Sequence, residues 1–380
     1  MQYDQYQTVF ALSTLANWVS KRIGKAEHLQ VDYQKTICAT LASPAAQALI
    51  GSWELVWGPQ VWQKQGALRS GNGMFVAKTS KLADLVGDVY VVAIAATDPF
   101  SRYDWVVEDF NVASVVDFLT YDPTASTPPV ALPQPGDADT AISMGTAIGV
   151  WHLLNMVSPE HAASSGKTLT AFLQSIANGA NVIFAGHSLG GALSPTIATW
   201  LKSNNKLEGC NAVYCYPTAG ATPGNAAFSD LCKATLPPTA GNTYQVWNRD
   251  LWNSLDVVPH AWDATMLEQI KNLYGNGDIK VISKNVDNAK SKAASSGITY
   301  TQIPNQELTG TLYGHTPENA YAFLVQAAIQ HTKAYSNLIA GKLTPVPPHL
   351  GELLTTELDQ EAELYGLLAW LEARAHATTT

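Results

Sequence analysis

Directly behind the apolar run Asn181-Val182-Ile183-Phe184-Ala185 stands the hexapeptide Gly186-His187-Ser188-Leu189-Gly190-Gly191. A G-x-S-x-G turn between a strand and a helix holds its serine on a strained elbow, with Oγ lifted clear of the backbone. The glycines are a steric requirement, because a side chain there would strike the neighbouring strand or helix where the turn is tightest. Downstream, residues 192–202 carry small and apolar residues at helical spacing, as a helix packed closely on a sheet needs. Pro195 is tolerable within the first turn or two of that helix, where few amide donors have intrahelical partners. A bare G-x-S-x-G also arises by accident in glycine-rich loops. The strand before it, the helix after it and the third glycine, Gly191, set this one apart.

A serine hydroxyl is a poor nucleophile until a base takes its proton and an acid orients that base. In α/β-hydrolases the order along the chain is serine, acid, histidine. Five histidines follow Ser188: His260, His315, His331, His349 and His376. The pattern from about Pro317 to Ile339 reads as one helix, which puts His331 in mid-helix, unable to swing freely. His349 and His376 lie in a weakly patterned C-terminal tail, and His260 is too close to the best acid to come from a separate loop. His315, in Leu312-Tyr313-Gly314-His315-Thr316-Pro317, sits on a loop opening a helix, with Gly314 giving backbone latitude. His315 is therefore the expected base.

For the acid, Tyr244-Gln245-Val246-Trp247-Asn248 reads as a strand whose trailing loop holds Asp250, Asp256 and Asp263. Asp256 is the expected acid, because Pro259 in Val257-Val258-Pro259 fixes the chain just beyond its carboxylate. Asp250, nearer the strand end, is the alternative, and any of the three can instead be a solvated loop aspartate. The oxyanion formed on attack needs donors. One is the backbone N–H of Leu189, at the N-terminus of the helix. The second is expected from Thr97, which ends the nearly unbroken apolar run Asp88 to Thr97, the pattern of a buried parallel strand.

With these pieces placed, the chain resembles the class 3 (fungal-type) lipase family of α/β-hydrolases, from about Met74 to Tyr321. The resemblance rests on Ala96-Thr97 closing an apolar strand, Asp104-Trp105, Met144-Gly145-Thr146 opening a helix, and the full G-H-S-L-G-G elbow. It continues through Val213-Tyr214-Cys215-Tyr216, Gly224-Asn225-Ala226-Ala227-Phe228, Asp256-Val257-Val258-Pro259, and His315 before a helix. The resemblance implies an α/β-hydrolase fold: a mostly parallel central sheet flanked by helices, with a lid-like insertion before the nucleophile strand. It also implies Ser188 as nucleophile, Asp256 as acid, His315 as base, and Thr97 and Leu189 as oxyanion donors. The implied activity is that of a serine lipase or carboxylesterase acting on acylglycerols or other carboxylic esters through an acyl-enzyme. A phospholipase or acyltransferase would use the same triad, and a non-catalytic binding or scaffold protein on this fold is the reading from another class. No cofactor and no metal is called for. The partners expected are an ester or lipid substrate and a transient lipid interface.

The 380 residues, 46% of them apolar, suffice for a large core, and the spacing of the triad leaves no room for an inserted domain. A single α/β-hydrolase domain over 1–380 is expected. Residues 1–70 form a helical bracing segment, 104–140 a proline-rich lid over the site, and 343–380 a C-terminal helical extension. Val106, Val107, Phe110, Val112, Val115, Val116 and Phe118 would line an acyl channel or bury against the core. The formal charge of −9, with no basic cluster, speaks against nucleic-acid binding. No apolar run approaches the roughly 18 residues of a transmembrane helix. No signal peptide is visible, so the expected location is the cytoplasm or export by another route. Cys38, Cys210, Cys215 and Cys232 show no metal-ligand spacing and read as buried thiols.

Overall fold

Residues that alternate in sequence but are apolar on both phases can only be satisfied by a strand covered on both faces. Two such strands lie at the middle of the sheet. The computed structural model describes residues 2–96 and 111–340. The chain opens with α1 (Gln5–Ala16), α2 (Ala26–Ala42) and α3 (Pro44–Ile50), then β1 (Glu54–Trp62), β2 (Asn72–Thr79) and β3 (Val89–Ile94). A short hairpin of β4 (Val115–Asp117) and β5 (Ala141–Ser143) leads into α4 (Met144–Asn155) and α5 (Leu169–Leu173). The nucleophile unit is β6 (Asn181–His187) and α6 (Leu189–Ser203), followed by β7 (Ala212–Thr218) and α7 (Ala226–Thr235). The last part holds β8 (Asp250–Asn253), α8 (Ala264–Gln269), α9 (Lys280–Ala294), β9 (Asn305–Leu308), α10 (Ala320–His331) and the single turn α11 (Lys333–Tyr335).

Among the described residues the main sheet has the order β1-β2-β3-β6-β7-β8-β9. The first two pairings are antiparallel and the rest parallel. This is the mostly parallel, helix-flanked sheet of an α/β-hydrolase. The pleat divides each central strand between two cores. Val89, Val91 and Ala93 of β3 and Ile183 and Ala185 of β6 face a cluster shared with α1. Tyr90, Val92, Ile94, Val182 and Phe184 face a second cluster with Leu193, Ile197 and Leu201 of α6. Each fully buried valine, leucine, isoleucine or phenylalanine among them contributes roughly 1.5–3 kcal/mol relative to an exposed one. The helix α1 is almost wholly buried and is started by a capping box between Asp4 and Gln7. The N-terminal segment thus supplies both a layer of the core and, through β1, an edge strand.

Several expectations are corrected. Residues 244–248 are not a strand but turn and bend; the strand is β8, two residues further on, so Asp250 opens it rather than trailing it. The aromatic pattern there serves packing instead: Trp247 sits against Tyr6, Tyr214 and Tyr216. The helix expected from about Pro317 to Ile339 is broken after His331, where Thr332 takes φ −122° and ψ −77°. Val112, Val115, Val116 and Phe118 are buried, Phe118 edge-on to Phe228, so within 104–140 these side chains belong to the core. Thr97, Asp104, Trp105, Val106, Val107, Phe110 and the extension 343–380 lie outside the described residues. Of the cysteines, Cys215 and Cys232 are buried thiols, but Cys38 is exposed and Cys210 only partly covered.

Candidate active site

The end of β6 runs straight into α6, and Ser188 takes φ 65° and ψ −119°, a conformation that costs a non-glycine residue of order 1–3 kcal/mol. The backbone tolerates this because its surroundings fix it: the Ser188 N–H donates to the Thr218 carbonyl at 2.8 Å. The elbow glycines give the close approach that the sequence demanded. A Cβ on Gly186 would lie 2.3 Å from the Gly190 oxygen, and one on Gly191 would lie 2.4 Å from the Thr218 oxygen.

The strain presents Oγ to an imidazole, but not to the one expected. His331 Nε2 lies 2.5 Å from Ser188 Oγ, and His331 Nδ1 lies 2.8 Å from Asp256 Oδ2. His315 is exposed on its loop, beside Gly314 at φ 76°. The expectation that His315 meets Ser188 is therefore corrected: the imidazole at the hydroxyl is that of His331. The physical reason is the helix break. As the last residue of α10, His331 stands at a helix end and points across to the elbow; it is not locked in mid-helix. No glycine or proline marks that break. Its only sequence signal is Thr332, whose Oγ1 donates back to the Ala328 carbonyl at 2.7 Å, the local competition by which threonine loosens helices.

Asp256 is the acid that the structure brings to the imidazole, on the turn after β8. Its carboxylate is completely buried and accepts from three donors: His331 Nδ1–H and the Tyr335 hydroxyl on Oδ2, and the Val258 N–H on Oδ1. Tyr335 is held in turn by the Asn253 N–H, which donates to its hydroxyl at 2.9 Å. Burial, and next the neighbouring Asp256 charge, push the Tyr335 phenol well above its ordinary range, so it stays a donor. Nothing local in the sequence separates Tyr335 from a core tyrosine.

The other candidates have different work. His260 donates from Nδ1 to the Asp256 main-chain carbonyl at 2.7 Å, and burial lowers its pKa. Asp263 caps α8, accepting from the Thr265 and Met266 amides. Asp250 is buried and accepts from the Gly220 N–H at 3.2 Å, lining a small cavity with Gly191, Thr222 and Gln302. Desolvation, only partly offset by Gly220 and reinforced by the Asp256 charge, raises its pKa well above the carboxylate norm. A carboxyl whose folded pKa is raised gives up stability as pH climbs from its ordinary value through the raised one. Asp250→Asn removes that loss. The variant's melting temperature is expected to match the parent's near pH 4 and to exceed it increasingly toward pH 8, by differential scanning calorimetry. Equal shifts at all pH values would refute a buried proton on Asp250.

Leu189 is the first residue of α6, where the amide has no intrahelical acceptor and the helix dipole is positive.

A mostly parallel sheet with a strained serine elbow, a buried imidazole on its hydroxyl and a buried carboxylate behind that imidazole defines an α/β-hydrolase of the serine type. Comparison with known proteins narrows this. The model of the family described as "Lipase (class 3)" matches residues 138–265, a span that holds β5 to the start of α8 and so both Ser188 and Asp256. The crystal structure of M37 lipase is similar at 27% identity and a TM-score of 0.69, covering 89% of this chain and 93% of that one. The Rhizomucor miehei triacylglyceride lipase superposes at 18% identity and a TM-score of 0.38, covering 68% and 74% of the two chains. Yarrowia lipolytica LIP2 lipase gives 16% and 0.38, covering 66% and 72%. No curated protein matches the chain. Over residues 138–265 the chain is thus similar to the class 3 lipase family.

Proposed function

We propose that this protein is a serine lipase or carboxylesterase that hydrolyses acylglycerol or related carboxylic esters, with Ser188, His331 and Asp256 as its triad. The observation that carries the reading is the unbroken relay from Ser188 Oγ through both ring nitrogens of His331 to Asp256 Oδ2, at 2.5 and 2.8 Å. The ring must carry its proton on Nδ1, since the carboxylate only accepts; Nε2 is then free to take the serine proton. As Oγ attacks the ester carbonyl, the proton moves to Nε2, and the resulting imidazolium is stabilised by Asp256, which stays ionised. The Leu189 N–H at the start of α6 receives the oxyanion. His331 then protonates the leaving alcohol, and a water repeats the sequence to free the acid and Ser188.

Ser188 is only 1% exposed. That burial supports an opening step, for which a lipid–water interface is a natural trigger. Two measurements test the proposal. A fluorophosphonate should add to the tryptic peptide holding Ser188, with no adduct in Ser188→Ala; labelling elsewhere, or none, overturns the nucleophile. The rate on a medium-chain triglyceride should rise abruptly above its solubility limit; smooth saturation through that limit rejects the interfacial trigger.

A further inference from the structure

The residue between Gly186 and Ser188 has a side chain that the hydrolytic cycle does not use. His187 is buried, and its two ring nitrogens are both engaged: Nδ1 lies 2.9 Å from Thr218 Oγ1, and Nε2 lies 2.8 Å from the main-chain carbonyl oxygen of His331. A carbonyl can only accept, so Nε2 carries the proton. Nδ1 is paired with the Thr218 hydroxyl, whose Oγ1 also lies 3.4 Å from the Gly186 carbonyl oxygen.

The carbonyl it binds is one the helix leaves over. The last four C=O groups of a helix have no intrahelical donor. At the end of α10, the Thr332 N–H reaches both the Ala328 and Ile329 carbonyls, and Asn253 Nδ2 donates to that of Gln330 at 3.0 Å. That leaves His331, whose carbonyl is satisfied by His187. The ring of His187 also lies 5.0 Å from the rings of both His331 and Tyr335, centroid to centroid. One side chain thus ties the backbone of the base to the residue adjoining the nucleophile, and packs on the two aromatic groups that reach Asp256.

We infer that His187 is a positioning residue: its Nε2–H caps the helix that carries His331, so the elbow itself sets the distance and direction from Ser188 Oγ to the imidazole. The inference rests on the Ser188–His331–Asp256 reading. Because His187 touches no reacting atom, its loss should act on kcat and leave KM near the parent value. Displacements of about 1 Å at a reacting pair cost up to 10²-fold in rate.

The test compares His187→Leu, His187→Gln and Thr218→Val with the parent on a soluble short-chain ester, each rate divided by the concentration of fluorophosphonate-titrated sites. That normalisation removes any change in the folded fraction. His187→Leu should lower kcat per site about 10- to 100-fold, with KM within about twofold. His187→Gln restores an N–H near the Nε2 position and should recover most of the loss. Thr218→Val should lower kcat by a few-fold alone and have no further effect on top of His187→Leu, since it acts through the His187 ring. Full kcat per site in His187→Leu would overturn the inference, as would a glutamine variant no better than the leucine one. Should His187→Leu fold too poorly to titrate, Thr218→Val decides alone, and parental kcat there refutes the role. Failure of the triad reading would look different, as retained turnover in His331→Ala.

Discussion

Replacing His331 by alanine is expected to lower kcat on a soluble ester by about 10⁴-fold, while His315→Ala stays within about twofold of the parent. The contrast follows from placement. His331 bridges Ser188 and Asp256, whereas His315 is exposed on its loop. Without the imidazole, Ser188 keeps its strained conformation and the Leu189 amide keeps its place, so residual turnover above the uncatalysed rate should persist. The fold should survive as well. Asp256 retains the Tyr335 hydroxyl and the Val258 N–H as donors, so its buried charge is not abandoned. Steady-state kinetics with both purified variants, together with circular dichroism melts, checks this. A large loss in His315→Ala, or parental turnover in His331→Ala, would return the base to the loop.

The elbow was legible because its chemistry is steric. A strand that must turn into a helix within one residue demands glycine at fixed offsets, and Gly186, Gly190 and Gly191 are found pressed against backbone at distances no side chain would permit. The buried strands β3 and β6 were legible for a similar reason, their apolar runs being covered on both faces. Asp256 was singled out through Pro259 and does meet the imidazole. His331 was hidden because a helix end made by threonine carries no mark as strong as glycine or proline, and apolar periodicity continues across the break into Ala334 and Tyr335. The strand before Asp256 was displaced because Tyr244 and Trp247 imitate a β-pattern, while Trp247 serves an aromatic cluster with Tyr6 and Tyr216 and the Tyr244 hydroxyl donates to Asp4. His187 and Tyr335 act only through long-range contacts, and local spacing says nothing of those.

The same steric logic gives the largest expected effect on stability. A Cβ on Gly190 would lie 2.4 Å from the Ile94 carbonyl oxygen, well inside any real contact, so either α6 or the end of β3 must move. Neither is free to do so. Just past Ile94 the chain is pinned from the far side: the Ala95 N–H donates to the Gly73 carbonyl at 2.8 Å, and the Ala96 N–H to Asn17 Oδ1 at 2.6 Å. On its other flank the first turn of α6 is already against β7, where Gly191 meets the Thr218 oxygen and Gly220. With no give on either side, the overpacking cost should reach the upper end of its range, about 3 kcal/mol or more. Gly190→Ala is accordingly expected to lower the urea midpoint markedly. Gly136→Ala, whose added Cβ meets nothing nearer than Asp139 Oδ2 at 3.9 Å, should leave it almost unchanged. Folded Gly190→Ala molecules should also turn over slowly, because relief of the clash displaces the Leu189 amide relative to Ser188. If Gly190→Ala melts with the parent, β3 and α6 are not in contact at the elbow, and the close seating of the nucleophile against the sheet is wrong.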